Sequence, residues 1–97
     1  LLYKLKRIEI NPSGRLSYQY HKKRSETWTI IKGIGLITLD GIKKNIKPGD
    51  TVIINQGVKH RIENNGTDKL IFIEVQTGSY FGEDDIVRIE DDYNRVK

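Results

Sequence analysis

Ile37-Thr38-Leu39-Asp40-Gly41-Ile42 is the stretch that decides the fold class. Ile37 and Leu39 alternate with Thr38, the two-residue period of a strand with one buried face, and Asp40-Gly41 tolerate the positive φ that a type I′ turn demands. The stretch predicts a two-residue β-hairpin. Working outward, runs of the same kind predict strands over residues 3–10, 16–21, 26–32, 35–39, 42–46, 51–54, 60–64 and 70–76, while helical periodicity is nearly absent. The breaks Asn11-Pro12-Ser13-Gly14, Lys32-Gly33, Lys47-Pro48-Gly49-Asp50, Asn55-Gln56-Gly57 and Asn64-Asn65-Gly66-Thr67 carry turn residues. After Gln76 the composition shifts to glycine and to the acidic run Glu83-Asp84-Asp85, then Ile86-Val87-Arg88, which predicts a loop or short helical turn and a final strand. So many strands in 97 residues would leave long unpaired edges in one open sheet, so the expectation is an all-β jelly-roll barrel, a single domain over residues 1–97.

The composition narrows the chemistry. With no cysteine, neither a disulfide nor a thiolate metal site is available. Apolar runs fall far short of the roughly 20 residues needed to cross a bilayer, and the N-terminus has no apolar leader, so no membrane and a cytoplasmic location are expected. The chain has no methionine, and Leu1 therefore reads as a processed or truncated start of a piece of a longer protein. The net charge of +4 points to an anionic partner. Its basic residues are scattered, without a groove-entering helix or surface-aromatic motif, so no nucleic acid is expected.

Both histidines, His21 and His60, fall on predicted strands. Strand alternation puts Gln19 and His21 on one face and Leu16, Tyr18 and Tyr20 on the other, and Glu26 opens the next strand after a short basic connection. An interior receiving Gln19, His21, Glu26 and His60 offers two imidazoles, a carboxylate and an amide oxygen, a set that suits zinc, iron, manganese, cobalt or nickel. Taken singly, either histidine also reads as an ordinary hydrogen-bonded residue at a strand end. Parity sends Trp28 inward with Glu26 and Ile30, where it fills the barrel or walls a pocket.

Gln19-x-His21, Glu26 and Gly33, followed by Pro48-Gly49-Asp50, Gly57, His60 and Asn64, resemble the two motifs of the cupin superfamily. Gln stands in place of the usual first His, and Asn55 in place of a usual proline. The resemblance implies a double-stranded β-helix. A narrower likeness runs from Tyr3 to Arg95. Leu16 to His21, Arg24 to Trp28, His60 to Asn64 and Ile73 to Ile86 resemble the type II mannose-6-phosphate isomerase family, with Glu83-Asp84-Asp85-Ile86-Val87-Arg88 the most distinctive part. That family includes the C-terminal isomerase domain of bifunctional mannose-1-phosphate guanylyltransferase/mannose-6-phosphate isomerases, enzymes of GDP-mannose biosynthesis.

The resemblance implies a metal-dependent interconversion of mannose 6-phosphate and fructose 6-phosphate through an enediol. It makes Gln19, His21, Glu26 and His60 the ligands of a divalent ion, zinc first, with cobalt, manganese, nickel or iron also suited. Arg24 and Glu26 are the expected catalytic residues, with Lys23, Arg24 and Arg88 as contacts to the sugar-phosphate substrate. Glu26 cannot easily serve as both ligand and free base, which leaves Glu74 or a metal-bound hydroxide for the proton. A homodimer is implied as well. Departures from the family are Lys22-Lys23 and Thr27, where it usually has histidines, and the absence of the Arg-Pro-Trp-Gly segment and of a glycine-rich nucleotidyltransferase signature. Guanylyltransferase activity is therefore not expected of this chain. The alternatives are a non-catalytic metal- or sugar-binding cupin and, less favoured by the basic Lys23-Arg24 pair, a cupin dioxygenase.

Overall fold

The computed structural model describes residues 2–93. Nine strands, β1 (Leu2–Ile10), β2 (Tyr18–His21), β3 (Arg24–Lys32), β4 (Gly35–Leu39), β5 (Ile42–Ile46), β6 (Thr51–Ile54), β7 (His60–Glu63), β8 (Leu70–Gly78) and β9 (Ile86–Glu90), are joined by turns and one short 3-10 turn, Glu83–Asp85. They form two sheets, ordered β1-β8-β3-β6 and β5-β4-β7-β2-β9, with antiparallel pairing throughout. Arg95, the last residue of the family likeness, lies outside the described residues.

The deciding hairpin forms as read. Leu39 pairs with Ile42 across Asp40 and Gly41, whose φ values are 46° and 82°, and Asp40 Oδ1 accepts a hydrogen bond from the Lys59 amide at 2.9 Å. Gly33 is required by space as well as by its φ of 84°, because a Cβ there would lie 2.5 Å from the Lys69 carbonyl oxygen.

Five strand boundaries differ from expectation for physical reasons, the first being β1, which begins at Leu2 rather than residue 3 because Leu2 pairs with Gly78. β2 begins at Tyr18 rather than residue 16: Arg15 forms an isolated bridge with Glu63, and Leu16 turns to pack on the core instead of sharing a face with Tyr18 and Tyr20. β3 begins at Arg24 rather than Glu26, and β8 runs on to Gly78, because Arg24 pairs with Gly78. A Cβ at Gly78 would strike the Lys23 carbonyl oxygen at 2.3 Å. β7 stops at Glu63, because the Asn64 backbone N–H donates to the Gly14 carbonyl at 2.9 Å instead of a strand neighbour, while its side-chain Nδ2 donates to the carbonyls of Ile10 and Asp68, both at 2.8 Å.

Register arranges the inner face of the four-stranded sheet in rungs. Ile10 lies beside Leu70, and Ile8 beside Phe72, which pairs in turn with Ile30. The next rung is Lys6, Glu74, Trp28 and Val52, and the one after it Lys4, Gln76, Glu26 and Ile54. The barrel is thus apolar at one end and charged at the other. The apolar end holds Ile10, Ile30, Ile37, Ile46, Ile62, Leu70 and Phe72 out of water and supplies the burial that drives folding.

Candidate metal centre

Three strands from the two sheets bring His21 (β2), Glu26 (β3) and His60 (β7) together. One potential ligand atom from each lies within 4.8 Å of the others, and all three residues are buried. The imidazole centroids are 5.2 Å apart. This is the His/Glu/His part of the expected ligand set, and it can hold a metal ion. Gln19 is the Cα partner of His60 on β7 and of Arg88 on β9, which puts the three on one face; its Oε1 accepts a hydrogen bond from Ser17 Oγ at 3.0 Å.

The local chemistry suits a cation. His60 Nδ1 lies 2.9 Å from the Val58 carbonyl oxygen, which can only accept, so the proton sits on Nδ1 and the Nε2 lone pair is free. That Nε2 is buried and has no hydrogen-bond partner among the described residues. A buried polar atom left without a partner costs free energy, and an imidazole oriented by a carbonyl on Nδ1–H, with its Nε2 lone pair free, is the arrangement metal-ligating histidines use. Glu26 is oriented too: Trp28 Nε1 donates to its Oε1 at 2.9 Å, while the indole stacks on Phe72 at 4.6 Å and meets His60 edge-on at 5.7 Å. Trp28 therefore links the apolar core to the carboxylate, a role its inward parity alone did not reveal.

Electrostatics keeps both histidines in their ligating, neutral form. Burial first, then the positive charges of Arg24, Lys6 and Arg88 and the cost of charging two neighbouring imidazoles together, push His21 down to about 3. Burial likewise holds His60 below its ordinary value, with the Val58 carbonyl opposing. The 3.7 Å approach of His21 Nδ1 to Glu26 Oε2 is accordingly no ion pair. Glu26 is raised to about 7, chiefly by burial and then by the negative charge of Glu74, against the opposing pull of the Trp28 hydrogen bond and Arg24. A divalent ion would relieve this by favouring the carboxylate.

Around the cluster stand groups of both signs. Arg24 is buried; its Nη1 donates to Gln76 Oε1 at 3.2 Å and to the Phe81 carbonyl at 3.1 Å, and its Nε lies 3.6 Å from Glu26 Oε2. Arg88 is mostly buried, and its Nη2 donates to Glu83 at 3.1 Å. Lys23 is exposed on the rim, its ammonium 5.2 Å from the centre of the Tyr80 ring. Glu74, buried beside Glu26, accepts from Gln76 Nε2.

Sequence reasoning assigned no role to Asp85, which reads as one more acidic residue in a solvated run. It is buried, and its carboxylate accepts the Lys22 and Lys23 amides, both at 3.1 Å, fixing the turn between His21 and Arg24. The signal available was the alternation that follows it, with Ile86 facing inward at the start of a strand.

Residues 1–91 match the family model described as mannose-6-phosphate isomerase C-terminal. A mannose-1-phosphate guanylyltransferase of Salmonella montevideo is 45% identical over 93 residues, 96% of this chain and 20% of the relative. A xanthan biosynthesis protein of Xanthomonas campestris is 42% identical over 94 residues, 97% of this chain and 20% of the relative. The chain thus spans about one-fifth of the length of these curated relatives. Among solved structures, a protein of Klebsiella pneumoniae with a double-stranded β-helix domain superposes with a TM-score of 0.81 at 24% identity, over 92% of this chain and 76% of that one. A protein of Acidithiobacillus ferrooxidans, provisionally assigned as a sugar phosphate isomerase, gives a TM-score of 0.72 at 26% identity, over 76% of this chain and 49% of that one. The fold is the cupin double-stranded β-helix.

Proposed function

This chain belongs to the mannose-6-phosphate isomerase C-terminal family, and from that premise and the geometry we propose that it is a metal-dependent isomerase interconverting mannose 6-phosphate and fructose 6-phosphate. The observation that carries the metal part is the buried, partnerless Nε2 of His60 beside His21 and Glu26. In this reading His21, Glu26 and His60 hold a divalent ion, zinc first, with Gln19 as the fourth protein group. When bound, the ion supplies Lewis-acid stabilisation of the oxyanion charge that develops as the enediol forms.

The remaining steps belong to the chain's own residues. Aldose-to-ketose isomerisation moves a proton from C2 to C1, and Glu74 is the buried carboxylate outside the ligand cluster that is available to carry it. Arg24, fixed by Gln76 and the Phe81 carbonyl, lies against Glu26 and completes the charge balance around the oxygens. The phosphate is anchored by Arg24 and Arg88; Lys23, the third contact that the resemblance implies, is exposed over Tyr80 at the rim and is left out of the anchor. The proposal extends to one domain over residues 1–97 and to a homodimer that covers the outer face of the four-stranded sheet, where Tyr3, Leu5, Ile31 and Ile53 are exposed. Among the described residues no helix is long and apolar enough to cross a membrane.

A second reading, a non-catalytic metal- or sugar-binding cupin, is favoured by Lys22, Lys23 and Thr27 at positions where the family resemblance expects histidines. A coupled assay for fructose 6-phosphate formed from mannose 6-phosphate, with added Zn²⁺, Co²⁺ or Mn²⁺ and after chelation, separates the two. Metal-dependent turnover supports the isomerase. Folded, metal-loaded protein without turnover supports the binding module.

A further inference from the structure

We propose that Lys6, on the edge strand β1, binds the phosphate of the sugar substrate together with Arg24 and Arg88, and that Lys23 does not. The inference rests on the sugar-phosphate reading of the site and adds a residue to it. Ile10 is buried in the core and Ile8 packs against it, so the even positions of β1 face the barrel interior. Lys6 is the next inward residue toward the open end, paired with Glu74, which pairs in turn with Trp28. Its flanking outward residues Leu5 and Arg7 are exposed, whereas Lys6 is half-buried. Among the described residues no carboxylate lies within ion-pairing distance of its ammonium.

A half-buried lysine on the inner face of the barrel's polar end, without an ion pair, is a cation with its counter-charge missing. Two guanidinium nitrogens at the same end also lack a hydrogen bond, although Arg24 lies against Glu26 and Arg88 pairs with Glu83. Arg24 Nε and Arg88 Nε are buried and make no hydrogen bond. Lys6, Arg24 and Arg88 come from three different strands that border the His21, Glu26 and His60 cluster: Lys6 is paired with Glu74 in the rung of Trp28, Arg24 Nε lies 3.6 Å from Glu26 Oε2, and Arg88 is paired with Gln19. A phosphate dianion would satisfy all three at once: bidentate or single bonds from guanidinium, a point charge from lysine. Lys23, by contrast, is solvated and lies over Tyr80 at the rim.

The test is calorimetric titration of the purified chain with mannose 6-phosphate and, separately, with inorganic phosphate and with Zn²⁺. Lys6→Met is expected to weaken mannose 6-phosphate about tenfold to a hundredfold, the scale of one lost charge-assisted bond. Lys6→Arg should recover most of that loss. Zn²⁺ affinity should stay within about twofold in both, and Lys23→Met should leave the sugar phosphate within about twofold. Unchanged affinity in Lys6→Met, or an equal loss in Lys23→Met, overturns the assignment. If the wild-type chain binds inorganic phosphate through Lys6 but not mannose 6-phosphate, the anion site stands and the isomerase reading falls. A wild-type chain that binds neither overturns both.

Discussion

The two ends of this barrel are made from the same strands, yet they solve opposite problems. On β3 and β8 one end contributes Ile30, Leu70 and Phe72, and the other Arg24, Glu26, Glu74 and Gln76, all buried. Burial at the apolar end releases water from hydrocarbon and stabilises the fold at little cost. Burial at the polar end removes charges from water and is stabilised only where hydrogen bonds or counter-charges exist, so each missing partner marks a place for a ligand. Trp28 sits at the boundary, stacked on Phe72 on one side and donating to Glu26 on the other. The apolar end is a foundation, and the polar end is a set of demands.

Substitutions at the two ends should separate stability from binding. The largest effect is expected from His60→Gln, which removes the free Nε2. Zn²⁺ affinity should fall by more than about a hundredfold, beyond the range typical of outer-shell changes, while the metal-free melting temperature changes little. Phe72→Ala should do the reverse, costing about 3–5 kcal/mol in chemical denaturation through the cavity it leaves, with metal affinity preserved in whatever fraction remains folded. Metal binding lost in step with stability at both positions would erase the distinction between the ends.

Trp28→Phe tests the boundary. The ring's packing is largely kept and the bond to Glu26 is lost, so a fall of about tenfold in Zn²⁺ affinity is expected together with about 1–2 kcal/mol of stability. An effect on only one of the two would place Trp28 wholly at one end.

The smallest effect is in pH dependence of the metal-free protein. Glu26, raised from 4.5 to about 7, binds its proton more tightly when folded, so its contribution to stability falls as pH rises between these values. His21, lowered from 6.5 to about 3, stays neutral when folded while the unfolded chain takes up a proton, so its contribution rises with pH over that window. The two oppose each other between 4.5 and 6.5 and flatten the profile there. Urea denaturation across this range should show Glu26→Gln with stability rising toward pH 6.5, the falling arm having been removed. A Glu26→Gln profile parallel to wild type would contradict the raised carboxylate.

The apolar end was largely legible in the sequence, because alternation and turn residues report directly on which positions face inward. Asp40-Gly41 fixed a hairpin, and the strands around it followed with shifts of a few residues at their ends. The candidate ligands were legible for a different reason: two histidines and a glutamate at motif spacing are rare enough to draw the eye. The supporting groups were hidden by their neighbours. Lys6 lies within the basic run Lys4-Leu5-Lys6-Arg7 and Asp85 within Glu83-Asp84-Asp85, and runs of like charge read as solvated surface. Only register, which pairs Lys6 with Glu74, and a tertiary contact, which brings Asp85 to the Lys22 and Lys23 amides, separates the inward-facing member from the exposed ones. By sequence Arg24 reads as part of a connection rather than a strand, because its satisfaction depends on Gln76 and Phe81, distant in sequence.

The most direct measurement is a Zn²⁺ titration of chelator-treated, folded protein followed by calorimetry, wild type against His60→Gln. A metal centre at the polar end predicts one ion bound per wild-type chain and none bound at comparable concentration by the variant. Folded wild-type protein that takes up no Zn²⁺, or a variant that binds it as tightly as wild type, would contradict it.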